Sequence, residues 1–170
     1  EKALQMVGEE VRKGNPSPGN KAGGITTLEE KSLGCIHKGG HSPVMEVYDY
    51  AKQVEAKKGL VIMDTPGHDP SSVAAMVAGG AQVVVFSSGR GTPTGNPIAP
   101  VIKITGNRIT YANMIDNIDV DASPLIYGGD LKEMGEELLK LLVEVASGKQ
   151  TKAESLGYTE MAIARACNYV

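Results

Sequence analysis

Two uninterrupted apolar runs constrain this chain more than anything else in it: Gly59-Leu-Val-Ile-Met-Asp64 and Gln82-Val-Val-Val-Phe-Ser87. Short runs without polar alternation fit strands covered on both faces, as in a parallel sheet. Between them, Asp69 as N-cap and Pro70 as first helical residue predict a helix through Ala78, ended by Gly79-Gly80. A further strand is predicted over Ala99 to Thr105, leading into Gly106-Asn107. A long helix follows Asp130, with Glu133 at capping-box spacing and Leu131, Met134, Leu138, Leu141, Leu142 and Val145 on one stripe before Gly148. Alternating strands and helices predict an α/β chain: a layered, Rossmann-like single domain over residues 1–170, with a mostly parallel sheet flanked by helices.

The N-terminal third is predicted to be more helical. Ala3, Leu4, Val7 and Val11 predict an amphipathic helix over 1–13, stopped by Gly14 and the loop Asn15-Pro-Ser-Pro-Gly-Asn20. Thr26 or Thr27 can cap a second helix, with Glu29 or Glu30 in capping-box range, ending at Gly39-Gly40. Val44, Val47, Tyr48 and Ala51 share a face if residues 42–55 form a third. Because Glu1 opens the chain inside a helical pattern, the expectation is a piece of something longer.

Composition narrows the function classes. The 170 residues are 41% hydrophobic but include one Phe, six Tyr and no Trp, so the core must be aliphatic. A net charge of -3 with no basic cluster argues against a nucleic-acid partner. No apolar run of spanning length and no signal peptide are recognisable, so a cytoplasmic protein without membrane contact is expected. Cys35 and Cys167 form no disulfide framework and read as reduced thiols.

In parallel sheets, ligands bind beyond the carboxyl ends of the strands, here Asp64-Thr65 and Ser87-Ser-Gly-Arg-Gly91. Asp64-Thr-Pro-Gly-His68 imitates a GTPase switch motif, and Thr151-Lys-Ala-Glu154 a guanine-reading one. The phosphate loop they would require is missing. In Gly14-Asn-Pro-Ser-Pro-Gly-Asn-Lys21 the lysine is followed by Ala22 rather than a hydroxyl residue, and two prolines remove backbone donors. Taken alone, Gly89-Arg-Gly91 reads as a turn with a solvated arginine.

Several segments together resemble the family of altronate dehydratase, galactarate dehydratase and the large subunit of sulfolactate sulfo-lyase. They are Asn15-Pro-Ser-Pro-Gly-Asn20, Gly23-Gly24, Glu30-Lys-Ser-Leu-Gly34, Met63-Asp-Thr-Pro-Gly67, Phe86-Ser-Ser-Gly-Arg-Gly91, Pro100-Val-Ile-Lys-Ile104 with Asn107, and Asp119-Val-Asp121. The resemblance spans about residues 15–155 in family order. It implies the C-terminal fragment of a longer hydro-lyase that takes water from a hexonate or hexarate, such as altronate or galactarate, to leave a 2-keto-3-deoxy acid. A sulfo-lyase subunit is the neighbouring alternative, and a non-catalytic acid-binding or oligomerisation domain the alternative of another class. The resemblance also implies a divalent metal, Fe2+ or Mn2+, and a homo-oligomer that contacts further N-terminal domains. This chain departs from the family in having Ser87-Ser88 where a threonine pair is usual, and Ala122-Ser123 after Asp121.

Such a reaction removes a proton beside a carboxylate and stabilises the resulting enediolate. Oxygen and imidazole donors suit the metal, with Asp64, His68, Asp119 and Asp121 as candidates. His68 reads equally as a turn residue. Arg90 has the planar fork that grips a carboxylate, flanked by Gly89 and Gly91, whose backbone N–H groups are approachable. Lys31 and Lys103 are candidates for the base or for a second carboxylate contact. Asn15, Ser17, Asn20, Ser87, Ser88 and Asn107 are the candidates for contacts to substrate hydroxyls.

Overall fold

A computed structural model describes residue 8 and residues 14–163; the helix predicted over 1–13 lies, apart from Gly8, outside the described residues. The fold is α/β, with parallel strands flanked by helices. Strand β1 (Val44–Tyr48) pairs in parallel with β2 (Leu60–Met63), placing Val47 beside Ile62 and Tyr48 beside Met63. A second sheet runs in the order β3 (Val84–Ser87), β4 (Val101–Thr105), β5 (Val120–Asp121), all parallel.

Helices α1 (Pro18–Ala22) and α2 (Leu28–Lys38) precede the first sheet. Helix α3 (Asp69–Ala78) links β2 to β3, and α4 (Arg108–Asn113) lies between β4 and β5. A 3-10 turn over Ser123–Tyr127 leads to α5 (Leu131–Ala146) and α6 (Lys152–Ser155). No helix among the described residues is long and apolar enough to cross a membrane.

Three sequence expectations change. Residues 42–55 contain β1 rather than a helix: Val44, Met45, Val47 and Tyr48 are branched, flexible or aromatic side chains that pack on a pleated surface, and pairing with Leu-Val-Ile-Met overrides their helical spacing. The predicted loop over 15–20 already turns into α1, because the Ser17 hydroxyl accepts the Asn20 N–H. The cap of α3 is His68, with Asp69 and Pro70 as its first two residues.

The other helix ends follow the sequence, except that Glu133 does not close the box expected with Asp130. Thr27 caps α2 by accepting the Glu30 N–H, while the Glu30 carboxylate reaches back one residue further, to the Thr26 N–H. Asp130 Oδ1 accepts two N–H groups at the start of α5, and Gly148, with φ of 106°, follows its end.

The core lies between α3 and the second sheet. Val73, Val84 and Val101 form its centre, with Met76, Val77, Ala81 and Phe86 packed around them. Each aliphatic side chain fully buried there contributes roughly 1.5–3 kcal/mol. Coverage elsewhere is incomplete. Four of the five β1 residues are exposed, and Leu131 at the head of the α5 stripe is exposed while Val145 at its foot is buried.

Candidate functional site

The connection between β3 and β4 carries the Gly-Arg-Gly turn and is unusual. Parallel strands need a crossover of a dozen or more residues, normally a helix. Here residues 88–100 cross without regular structure. The turn is instead pinned by side chains. The Ser88 hydroxyl accepts the Gly91 N–H (3.0 Å), and Ser88 N–H bonds Ile104 O. Gly89 O accepts both Asn107 Nδ2 (3.2 Å) and Thr110 Oγ1 (2.8 Å). Gly91 takes φ of 81°, which strains any other residue, and a Cβ there would have to displace the Met114 and Thr110 side chains.

From this turn Arg90 extends to the segment over 15–20. Its guanidinium lies on Gly19, with Nη2 at 3.5 Å from Gly19 O. The same segment meets Lys31 from α2, whose Nζ donates to Asn15 Oδ1 at 2.6 Å. Two cationic side chains, distant in sequence, thus converge on one short polar segment at the carboxyl end of β3. Arg90 is exposed and Lys31 half-buried.

Several predicted ligands are occupied by the fold. Ser17 caps α1, and Asn107 Oδ1 caps α4 by accepting the Ile109 and Thr110 N–H groups while its amide holds Gly89. Asn20 is half-buried in α1, and Ser87 closes β3 beside Ile104.

Lys103 lies at the middle of β4, 2% exposed. Its Nζ donates to Thr94 O at 3.3 Å. Burial lowers its pKa from the ordinary lysine value, against an opposing pull from the Asp119 and Glu160 carboxylates.

The four candidate metal ligands do not assemble. No group of three His, Cys, Asp or Glu side chains suited to a metal occurs among the described residues. Both Asp119 oxygens accept backbone N–H groups, from Lys103 (2.7 Å) and from Lys152 (2.9 Å), tying β4 to the start of α6. Asp121 accepts the Ser123 N–H, His68 Nδ1 pairs with the Ser71 hydroxyl at 3.0 Å, and Asp64 is exposed beyond β2. The described residues therefore do not fit the divalent ion that the resemblance implied.

Sequence reasoning passed over Gly19, Thr110 and Thr94. Thr110 carries a usable signal, since it falls three residues after the helix-capping Asn107. For Gly19 and Thr94, the role exists only through contacts across the fold.

The family model described as D-galactarate/altronate dehydratase, C-terminal, matches residues 1–168. The chain is similar to altronate dehydratase of Escherichia coli K12, 45% identical over 149 residues, which are 88% of this chain and 30% of that protein. Altronate dehydratase of Bacillus subtilis 168 is 42% identical over 151 residues, 88% of this chain and 30% of its own length. The (2R)-sulfolactate sulfo-lyase subunit beta of Chromohalobacter salexigens is 38% identical over 158 residues, 92% of this chain and 40% of its own length. The chain spans about a third of the length of these relatives and belongs to the D-galactarate/altronate dehydratase family, whose C-terminal domain it matches.

Proposed function

We propose that this chain supplies the carboxylate-gripping part of a sugar-acid dehydratase that eliminates water from a hexonate or hexarate such as altronate or galactarate. The observation that carries this reading is the convergence of Arg90 and Lys31 on the segment over 15–20. In the proposed reaction, the Arg90 fork holds the substrate carboxylate, which orients the adjacent C–H and the neighbouring hydroxyl for elimination. Positive charge from Arg90 and Lys31 stabilises the enediolate oxygen that develops on proton removal. Lys31, held on Asn15 from α2, is the candidate for proton transfer or for the second carboxylate of a hexarate.

Divalent iron or manganese remains part of the proposal only for the whole enzyme, with ligands drawn from beyond the described residues. The same holds for a cytoplasmic setting, for oligomerisation and for contacts with preceding domains. The exposed aliphatic side chains of β1 and β2 support such contacts, since parallel sheets are normally covered on both faces.

Replacing Arg90 by Ala in the intact enzyme is expected to cut kcat/KM for altronate or galactarate by about a hundredfold or more, the usual loss when a charge-assisted contact to the reacting group is removed. Lys31→Ala is expected to do the same. Measuring 2-keto-3-deoxy acid formation checks both, and near-normal turnover in either variant removes that residue from the site. Sulfite release from sulfolactate, with no keto acid from the sugar acids, selects the sulfo-lyase reading instead.

A further inference from the structure

The β3–β4 crossover is irregular yet partly buried: Thr92, Thr94, Gly95 and Asn96 are all inaccessible. Buried loops are rare because every backbone carbonyl in them needs a donor. The Asn96 side chain satisfies backbone donors rather than carbonyls, its Oδ1 accepting the Ile98 and Ala99 N–H groups. Thr92 and Thr94 join their hydroxyls at 2.7 Å. The outward end of the crossover is held at Gly89 O by Asn107 and Thr110. Its inward part is held at Thr94 O by the Lys103 amine. Arg90 lies between these two pinned carbonyls.

We propose that Lys103 is a positioning residue for Arg90: by holding the Thr94 carbonyl, its buried amine fixes the crossover that presents the Gly89-Arg90-Gly91 turn to the segment over 15–20. This rests on the reading of Arg90 as the group that grips a carboxylate. It departs from the role that sequence alone gives Lys103, as base or second carboxylate contact. A side chain 2% exposed, with its amine directed to a backbone oxygen, offers a substrate no approach. The anchor is itself tied into its surroundings. Lys103 N–H is bonded to Asp119, whose other oxygen is bonded to the first residue of α6, and Gly95 lies so near Tyr158 O that a side chain there would meet it. Placing an amine in this layer costs desolvation that a methionine would avoid, and the Thr94 carbonyl is what the amine satisfies.

The test compares Lys103→Met with the unaltered chain by hydrogen exchange and by calorimetric titration with galactarate. Exchange at residues 91–96 is expected to rise about tenfold or more while β3 and Val101–Ile102 stay protected, the signature of a local release. Galactarate affinity is expected to fall about tenfold in the folded variant, a change that loss of stability alone does not produce. Unchanged exchange at 91–96 overturns the proposal. Weaker binding with unchanged exchange also overturns it, because the amine then touches the ligand directly. If the unaltered chain binds no galactarate, the carboxylate reading of Arg90 fails for this chain, and the exchange result alone decides whether Lys103 holds the crossover. If Lys103→Met does not fold, the unaltered chain decides: protection at 92–96 approaching that of β4 supports the anchor, and open-loop exchange there overturns it.

Discussion

Arg90 reaches the segment over 15–20 because Gly19 has no side chain in the way. A Cβ on Gly19 would stand 2.6–2.9 Å from three guanidinium atoms, so an alanine there must push the end of Arg90 aside. Alanine also suits the helical backbone of α1 better than glycine, by about 0.5–1 kcal/mol. Gly19→Ala is therefore expected to leave the melting temperature unchanged or slightly raised while weakening substrate binding; a variant that binds as well as the parent would separate Arg90 from the site. At this scale part of the candidate site was legible. Arg90, Lys31 and Asn15 carry chemistry that their residue types announce. Ser17, Ser88, Asn107 and Asp119 announce it equally, yet the fold spends their hydrogen bonds on caps, a turn and a strand-to-helix tie. A sequence states what a side chain can donate or accept, not which partner reaches it first.

Helix α6 illustrates the same ambiguity for an element. Thr151-Lys-Ala-Glu154 imitates a nucleotide-reading motif and is instead a capping box: the Thr151 hydroxyl accepts the Glu154 N–H, and the Glu154 carboxylate accepts the Thr151 N–H at 2.8 Å. Thr151 is also buried, so Thr151→Ala is expected to cost about 1–2 kcal/mol, read as a lower urea midpoint with an unchanged slope. A loss below a few tenths of a kcal/mol would mean that the cap is not needed. Elements with their own punctuation were legible: β2, β3, β4, α3 and α5 lie where apolar runs, prolines and glycines put them. Strand β1 was not, because Val44, Val47 and Tyr48 follow helical spacing and only the pairing with β2 overrides it. The two-residue β5 is too short to leave any periodic signal.

Across the whole molecule, burial is uneven. Val47 and Ile62 face each other on adjacent strands, 66% and 47% exposed, on a sheet face that nothing among the described residues covers well. Replacing both by Thr keeps the β-branched shape and is expected to change stability by less than about 1 kcal/mol, as surface substitutions do. It should also lower the binding of a hydrophobic dye to the isolated chain. A large drop in melting temperature would mean that the face is covered after all. The fold class was legible because strand composition and helix punctuation are local, whereas the exposure of the β1–β2 face leaves no mark in any local pattern. Arg90 and Gly19 stand 71 residues apart in the chain. Contacts closing so long a loop form late in folding, since their entropy must be met before they contribute. An acid bound there as proposed would recognise only the finished fold, and its binding would double as a reporter of how many molecules have completed folding.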